Sequence, residues 1–341
     1  MNFILSCDQT LRLGQTRRVD TVSIAKYHHL MGRIQRKNQR RGIYLVANRN
    51  SSDHCHNLIY TIRQFGCRLP IRIIPYGGEP ILLQPLLDNV ELINVEDFNS
   101  EGQAFVAELR RRMPSCSPGL LNRFLAWFGE FDEFLYSDND IVALMNWEEL
   151  FPHLADYELV NADREYTTKG KYNLFQPDRF EQLIGPGSLE RAITAGHFLC
   201  RRMPQHTADL IAGVEWMESH PEVTKWHDQA LLHVTLSLAK WPALNLCKPP
   251  YNWGSSWAGH YANTFDVLRT IQATKQPLSH LHYSGGVPSG AKPVDEWLLA
   301  SLPERDRNLR LLWALARDLS GLRAAQHILH RARHKFKRTF F

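Results

Sequence analysis

The stretch Gly42-Ile43-Tyr44-Leu45-Val46-Ala47-Asn48-Arg49-Asn50-Ser51-Ser52 decides the reading of the fold. An apolar run of strand length, Ile43 to Ala47, stops at a polar cluster that begins with Asn48. Leu58, Ile59, Ile62 and Phe65 then recur at helical spacing, and Gly66 provides a stop signal. Ile71-Arg72-Ile73-Ile74 reads as a second strand, closed by Pro75 and the turn pair Gly77-Gly78. Strand, helix and strand within about 35 residues make a βαβ unit, which implies parallel pairing in an α/β sheet.

Working outward, Leu92-Ile93-Asn94-Val95 is expected to be a third strand, and Phe105–Arg112 and Leu120–Phe128 are expected to be helices. Phe134-Leu135-Tyr136 is a buried strand that runs straight into Ser137-Asp138-Asn139-Asp140. Leu159-Val160 is a shorter strand ending at Asn161-Ala162-Asp163. The pattern over 185–240 is mostly helical, 243–292 is turn-rich and aromatic, and helix resumes from Pro303. In open α/β sheets, ligand sites gather at the carboxyl ends of strands. Asn48, Asp138 and Asp163 all stand at such ends.

The chain has 341 residues and a formal net charge of +5, unevenly spread. Residues 12–41 carry +8, residues 305–341 carry +8, and residues 42–304 carry −10. Six cysteines lie far apart with no C-x-x-C pair, which gives neither a disulfide framework nor a zinc site. No apolar run approaches the roughly 20 residues needed to span a bilayer, and Met1–Leu5 is too short for a signal-peptide core. A soluble, cytoplasmic protein is expected. Arg331, Arg333, Lys335, Lys337 and Arg338 ahead of Phe340-Phe341 suit peripheral contact with an anionic membrane face, or equally a basic tail on a packed helix.

Three motifs carry chemistry. Asp138 and Asp140, at i and i+2 after an extended run, project to one side and would repel unless a hard divalent cation sat between them; exposed turn acids are the bland alternative. His282-Tyr283-Ser284-Gly285, followed by Lys292-Pro293, joins an imidazole, a glycine-rich loop and a lysine, the elements of a phosphate grip. Asp228-Gln229 precedes an apolar helix, where Asp228 also suits an ordinary N-cap.

In their order along the chain, these motifs resemble glycosyltransferase family 8, over roughly residues 42–300. The resemblance implies an α/β GT-A fold, with a Rossmann-like nucleotide-binding mixed sheet flanked by helices, and a metal-dependent retaining transfer from a nucleotide-diphospho-sugar. It divides the chain into a basic extension at 1–41, a catalytic domain at 42–302 and a basic helical extension at 303–341. It assigns Asp138, Asp140 and His282 as ligands of Mn²⁺ or Mg²⁺. Ala47, Asn48, Arg123, Asn139, Gly285 and Lys292 fall to the nucleotide and diphosphate. Asp228, Gln229 and Asp163 fall to the donor sugar and reaction centre. The implied partners are the nucleotide sugar and a glycan, lipid-linked or other acceptor. The chain departs from the family in carrying Thr194-Ala195-Gly196 for Asn-Ala-Gly, and Lys292-Pro293-Val294 for K-P-W.

Two other classes compete, besides a glycosyltransferase-like chain without activity, against which the intact Asp138, Asp140 and His282 speak. A nucleotidyltransferase would place a glycine- and arginine-rich loop where Asn48–Asp53 stands, and that segment has no glycine. A nucleic-acid-binding protein would suit the basic ends but not the acidic body, so no nucleic-acid partner is expected. His28-His29 and His54-x-His56 read as surface groups, His197 as a residue that could approach the sugar. Trp253 and Trp257 read as either core or an aromatic platform for an acceptor sugar.

Overall fold

The computed structural model describes residues 39–81, 88–168, 173–258 and 277–283, apart from the side chains of Asp53, Glu165 and Thr168. Gly285, Lys292, most of the 1–41 extension and all of the 303–341 extension with its membrane assignment lie outside the described residues.

Nine strands are described: β1 Arg41–Ala47, β2 Ile71–Pro75, β3 Val90–Leu92, β4 Glu133–Ser137, β5 Ile141–Ala143, β6 Leu159–Asn161, β7 His197–Arg201, β8 Ala243–Asn245 and β9 His280–His282. Seven form one sheet in the order β3-β2-β1-β4-β7-β6-β8, and β5 pairs with β9 in a separate ribbon. The expected βαβ unit is present, with β1 parallel to β2 and to β4. Strand β7 runs antiparallel to both β4 and β6, and β6 runs parallel to β8, so the sheet is mixed.

The period-2 geometry of strands puts alternate side chains into two different cores. Tyr44, Val46, Phe134, Tyr136, Phe198 and Cys200 face one, together with Phe105, Val106 and Leu109 of the helix Ser100–Arg112. The helices His206–Ser219 and Asp228–Ala239 close that side. Ile43, Leu45, Leu135 and Leu199 face the other, against Cys55, Leu58, Ile59 and Ile62 of the helix Ser52–Gln64. Burial on both faces explains why β1 and β4 read as continuous apolar runs rather than alternating ones. Leu135 has no exposure, so Leu135→Ala is expected to cost about 2–5 kcal/mol, read from the urea midpoint; a loss below about 1 kcal/mol would show that this core is not close-packed there.

The structure corrects three expectations. The third strand ends at Leu92 rather than running through 92–95. The 120–128 segment is one α-turn, Pro118–Leu121, followed by the 3₁₀ segment Asn122–Phe128. The 185–240 region contains β7, a central strand. Only five residues long, with an apolar centre of Phe198-Leu199-Cys200, it is too short to display a period against the helical segments that follow.

Candidate active site

The sheet order reverses direction at β1, with β2 on one side and β4 on the other, so the crevice outside the carboxyl ends of β1 and β4 is the topological switch point. A cavity of about 320 Å³ opens there, lined among others by Val46, Asn48, Ser51, Tyr76, Arg123, Asp138, Asn139 and Asp140. One wall depends on glycine: a Cβ at Gly119 would overlap the Tyr76 carbonyl oxygen and ring. Ala47 ends β1, and Asn48 turns back to donate its amide to the Gly77 carbonyl at 3.3 Å. Asn139 ties the two strand ends together by donating its side-chain amide to the Val46 carbonyl at 3.0 Å.

Asp138 leaves β4 still paired, its N–H donating to the Gly196 carbonyl at 2.6 Å. Asp140 follows, and β5 then carries the chain antiparallel to β9, which returns His282 to the same place. Ligand atoms of Asp138, Asp140 and His282 all lie within 4.8 Å of one another, and His282 Nε2 is 3.3 Å from Asp140 Oδ1. Two carboxylates and one imidazole are an oxygen-rich donor set suited to Mn²⁺ or Mg²⁺. The space is kept open by Gly196, where a Cβ would overlap His282 Cε1 and stand 3.0 Å from both Asp138 Oδ2 and His282 Nε2. The residues present therefore fit a divalent cation.

The electrostatics agree with mutual compensation among these groups. Burial pushes the Asp138 carboxyl above its usual range, and the neighbouring Asp140 charge adds to this while Arg123 and His282 oppose it. At Asp140 burial acts the same way but is outweighed by the hydrogen bond and charge of His282, leaving that carboxyl lowered. Burial works against charging His282, yet Asp140, Asp138 and Asp163 together raise its pKa.

Behind the ligands lies a buried ionic relay. Arg123 is 3% exposed at its side chain, with Nε 2.9 Å from Asp228 Oδ2 and Nη2 3.4 Å from Asp138 Oδ1. Its Nη1 donates to the Ala195 carbonyl at 2.6 Å, and its guanidinium stacks over the Tyr136 ring. Tyr136 in turn donates its hydroxyl to Asp138 Oδ1 at 2.6 Å. Asp228 is the first residue of the helix Asp228–Ala239 rather than its cap; His227 holds that position, accepting from the Gln229 N–H at 3.2 Å. Thus Asp228 is fully enclosed and faces Arg123, whereas Gln229 is half-buried and accepts from the Ala195 N–H at 3.2 Å. Asp163, at the end of β6, uses Oδ2 to accept from the Thr194 N–H and hydroxyl, both at 3.0 Å, and from Asn161 at 2.8 Å.

Thr194-Ala195-Gly196 is therefore the piece on which Asp163, Gln229, Arg123, Asp138 and His282 converge. Asn48, Arg123, Asp138, Asn139, Asp140, Asp163, Asp228, Gln229 and His282 come together around it or around the cavity, whereas the Ala47 side chain packs into the core with Ile43 and Leu45. Sequence reasoning missed His54, which lines the cavity and whose charge helps lower the Asp140 carboxyl. The signal was available: His54 lies in the first turn of the helix after β1, which must start at the carboxyl end of the sheet. Tyr136 was also legible as a partner, two residues before Asp138 on the same side of β4.

A family model described as "Mannosyltransferase putative" matches residues 40–159. No curated protein sequence matches the chain. Among solved structures, the apo bifunctional glycosyltransferase WbbM is similar at 14% identity with a TM-score of 0.50, covering 78% of this chain and 50% of that one. The chain thus spans about half the length of that relative. The galactosyltransferase LgtC, with donor and acceptor sugar analogues bound, is similar at 16% identity and a TM-score of 0.48, over 78% of this chain and 99% of its own. GlyE of Streptococcus pneumoniae TIGR4 is similar at 16% identity and 0.46, over 82% and 64% respectively. With its mixed seven-stranded sheet and its site at the β1/β4 switch point, the chain has the fold of the GT-A glycosyltransferases.

Proposed function

We propose that the chain is a metal-dependent glycosyltransferase that moves a sugar from a nucleotide-diphospho-sugar to a glycan acceptor. The observation that carries this reading is the convergence of Asp138, Asp140 and His282 beside a cavity at the switch point of the sheet. The family-model match makes mannose the first donor sugar to test. Retention of anomeric configuration comes from the resemblance to family 8, which does not carry over an acceptor preference.

Asp138, Asp140 and His282 would hold Mn²⁺ or Mg²⁺. Bound there, such a cation neutralises the negative charge that grows on the departing diphosphate. The chain's own residues do the rest. Val46 near the end of β1, Asn48 and Asn139 form the nucleotide side of the cavity, with Ser51, His54 and Tyr76; Ala47 lies behind it in the core. Asp163 and Gln229 flank Thr194-Ala195-Gly196 and orient the donor sugar, Asp163 by its hydroxyls. Asp228 acts through Arg123, which fixes Asp138 in place. Gly285 and Lys292 are proposed to grip the diphosphate.

Asp140→Ala is expected to weaken Mn²⁺ binding by roughly 100-fold and to remove nucleotide-sugar turnover, because it takes away a ligand and the partner of His282. Metal titration by electron paramagnetic resonance of free Mn²⁺ reads the first effect without reference to activity. Mn²⁺ affinity equal to wild type would refute the assignment.

A further inference from the structure

We infer that Trp257 is the floor of an acceptor subsite that takes a pyranose ring, which makes the acceptor a carbohydrate; this rests on the glycosyltransferase reading above. Strand β9 has β5 along one edge, where Ile141 pairs with His282, and an isolated parallel bridge from Trp257 to His282 along the other. The His282 N–H donates to the Ser256 carbonyl at 2.8 Å and fixes that register. Residues paired directly across adjacent strands project to the same face. His282 reaches Asp140 on that face, so the indole of Trp257 stands beside it, next to the proposed metal ligands.

Neighbouring strands are about 4.8 Å apart, which puts Trp257 one spacing beyond His282 and two beyond Ile141, the residue that follows Asp140. The nucleotide cavity opens between the ends of β1 and β4 and shares Asp138 and Asp140 with the ligand cluster. A retaining transfer brings the acceptor hydroxyl in on the face that the diphosphate leaves, so an acceptor floor belongs beside these ligands.

Trp257 is 40% exposed, whereas Ser255, Ser256 and Ala258 around it are buried. An exposed indole carried on buried backbone is a flat apolar surface that loses little entropy on binding. A pyranose offers the complementary shape, one face of C–H bonds rimmed by hydroxyls, and aromatic faces attract such C–H groups. Trp253 does not share this role, because it packs into the core beneath the sheet.

The test uses the full chain labelled with ¹⁵N at the tryptophan indoles, with the Trp257 signal identified as the one missing from Trp257→Phe. Methyl glycosides of mannose, galactose, glucose and N-acetylglucosamine are titrated in the presence of Mn²⁺ and a nucleoside diphosphate. At least one glycoside is expected to shift the Trp257 signal to saturation. Trp257→Ala should weaken that glycoside roughly 10-fold, and Trp257→Phe by less than about 3-fold, since phenylalanine keeps a stacking face. No shift with any of the four, or equal affinity in Trp257→Ala, overturns the inference; the shift in wild type keeps it testable even where Trp257→Ala does not fold. Calorimetry of nucleotide-sugar binding on the same sample separates the two readings. Donor binding without a glycoside response overturns the Trp257 subsite alone, and absence of donor binding overturns the glycosyltransferase reading and the subsite with it.

Discussion

Arg123→Met is expected to destabilise the fold by about 3–5 kcal/mol. The side chain is enclosed between Asp228, 1% exposed, and the half-buried Asp138, and its removal leaves the buried Asp228 carboxylate with only the solvent-facing His227, 3.0 Å away, beside it. The loss should depend on pH in a defined way. Burial works to raise the Asp228 carboxyl, but Arg123, joined by His227 and the Gln229 N–H, outweighs it and holds the group below the usual 3.8. A lowered carboxyl contributes stability that is present above its unfolded pKa and fades as pH falls through the folded one. Without Arg123, only His227 and the Gln229 N–H oppose burial and the carboxyl rises, so the variant suffers most near neutral pH. Its deficit relative to wild type should shrink as the pH drops below about 4, where both states take up the proton. Adding Asp228→Asn should recover part of the loss near neutral pH, because the costly charge is then gone. Urea melts of the single and double variants at neutral and acid pH decide the matter. A deficit independent of pH, with no recovery in the double variant, would mean that Arg123 contributes by packing rather than by charge.

Gly196→Ala is the second large effect, and it falls on the site rather than on the fold. The backbone at Gly196 has no left-handed conformation that excludes alanine, so the added methyl is opposed only by what surrounds it. What surrounds it is His282 and Asp138, two of the three proposed ligands. The methyl must push the imidazole away, and the imidazole is held from the other side by Asp140. Mn²⁺ affinity is expected to fall by roughly 100-fold, at the upper end of what disturbed ligand orientation produces. Thr194→Ser, two residues away, keeps the hydroxyl that donates to Asp163 and should bind Mn²⁺ within about 3-fold of wild type. Equal metal affinity in Gly196→Ala and wild type would show that the cation does not sit against this backbone.

How much of this was legible in the sequence follows from the range of the interactions involved. Strands β1, β2 and β4 each announce themselves by a local apolar run, and Asp138 and Asp140 by standing at the end of one. Strand β7 does not, because its apolar centre Phe198-Leu199-Cys200 is bracketed by His197 and Arg201 and its pairing partners in β4 and β6 lie far along the chain. His282 stands out locally as an imidazole ahead of a glycine-rich loop, but only the family resemblance makes it a metal ligand, since a three-residue strand before such a loop looks like part of the loop. The convergence on Thr194-Ala195-Gly196 is invisible locally, since it joins groups from β4, β6, β9 and the helix Asp228–Ala239. His54 reads as a surface group from its own neighbours, and only its place in the first turn of the helix after β1 puts it at the carboxyl end of the sheet, at the mouth of the cavity.

Calorimetric titration of the wild-type chain with GDP-mannose, UDP-galactose and UDP-glucose, once in Mn²⁺ and once in EDTA, most directly tests a metal-dependent donor site at Asp138, Asp140 and His282. At least one nucleotide sugar is predicted to bind in Mn²⁺ and to lose roughly 100-fold or more in affinity with EDTA or in Asp140→Ala. Binding that is indifferent to both the metal and the substitution, or no binding by any of the three, would contradict it.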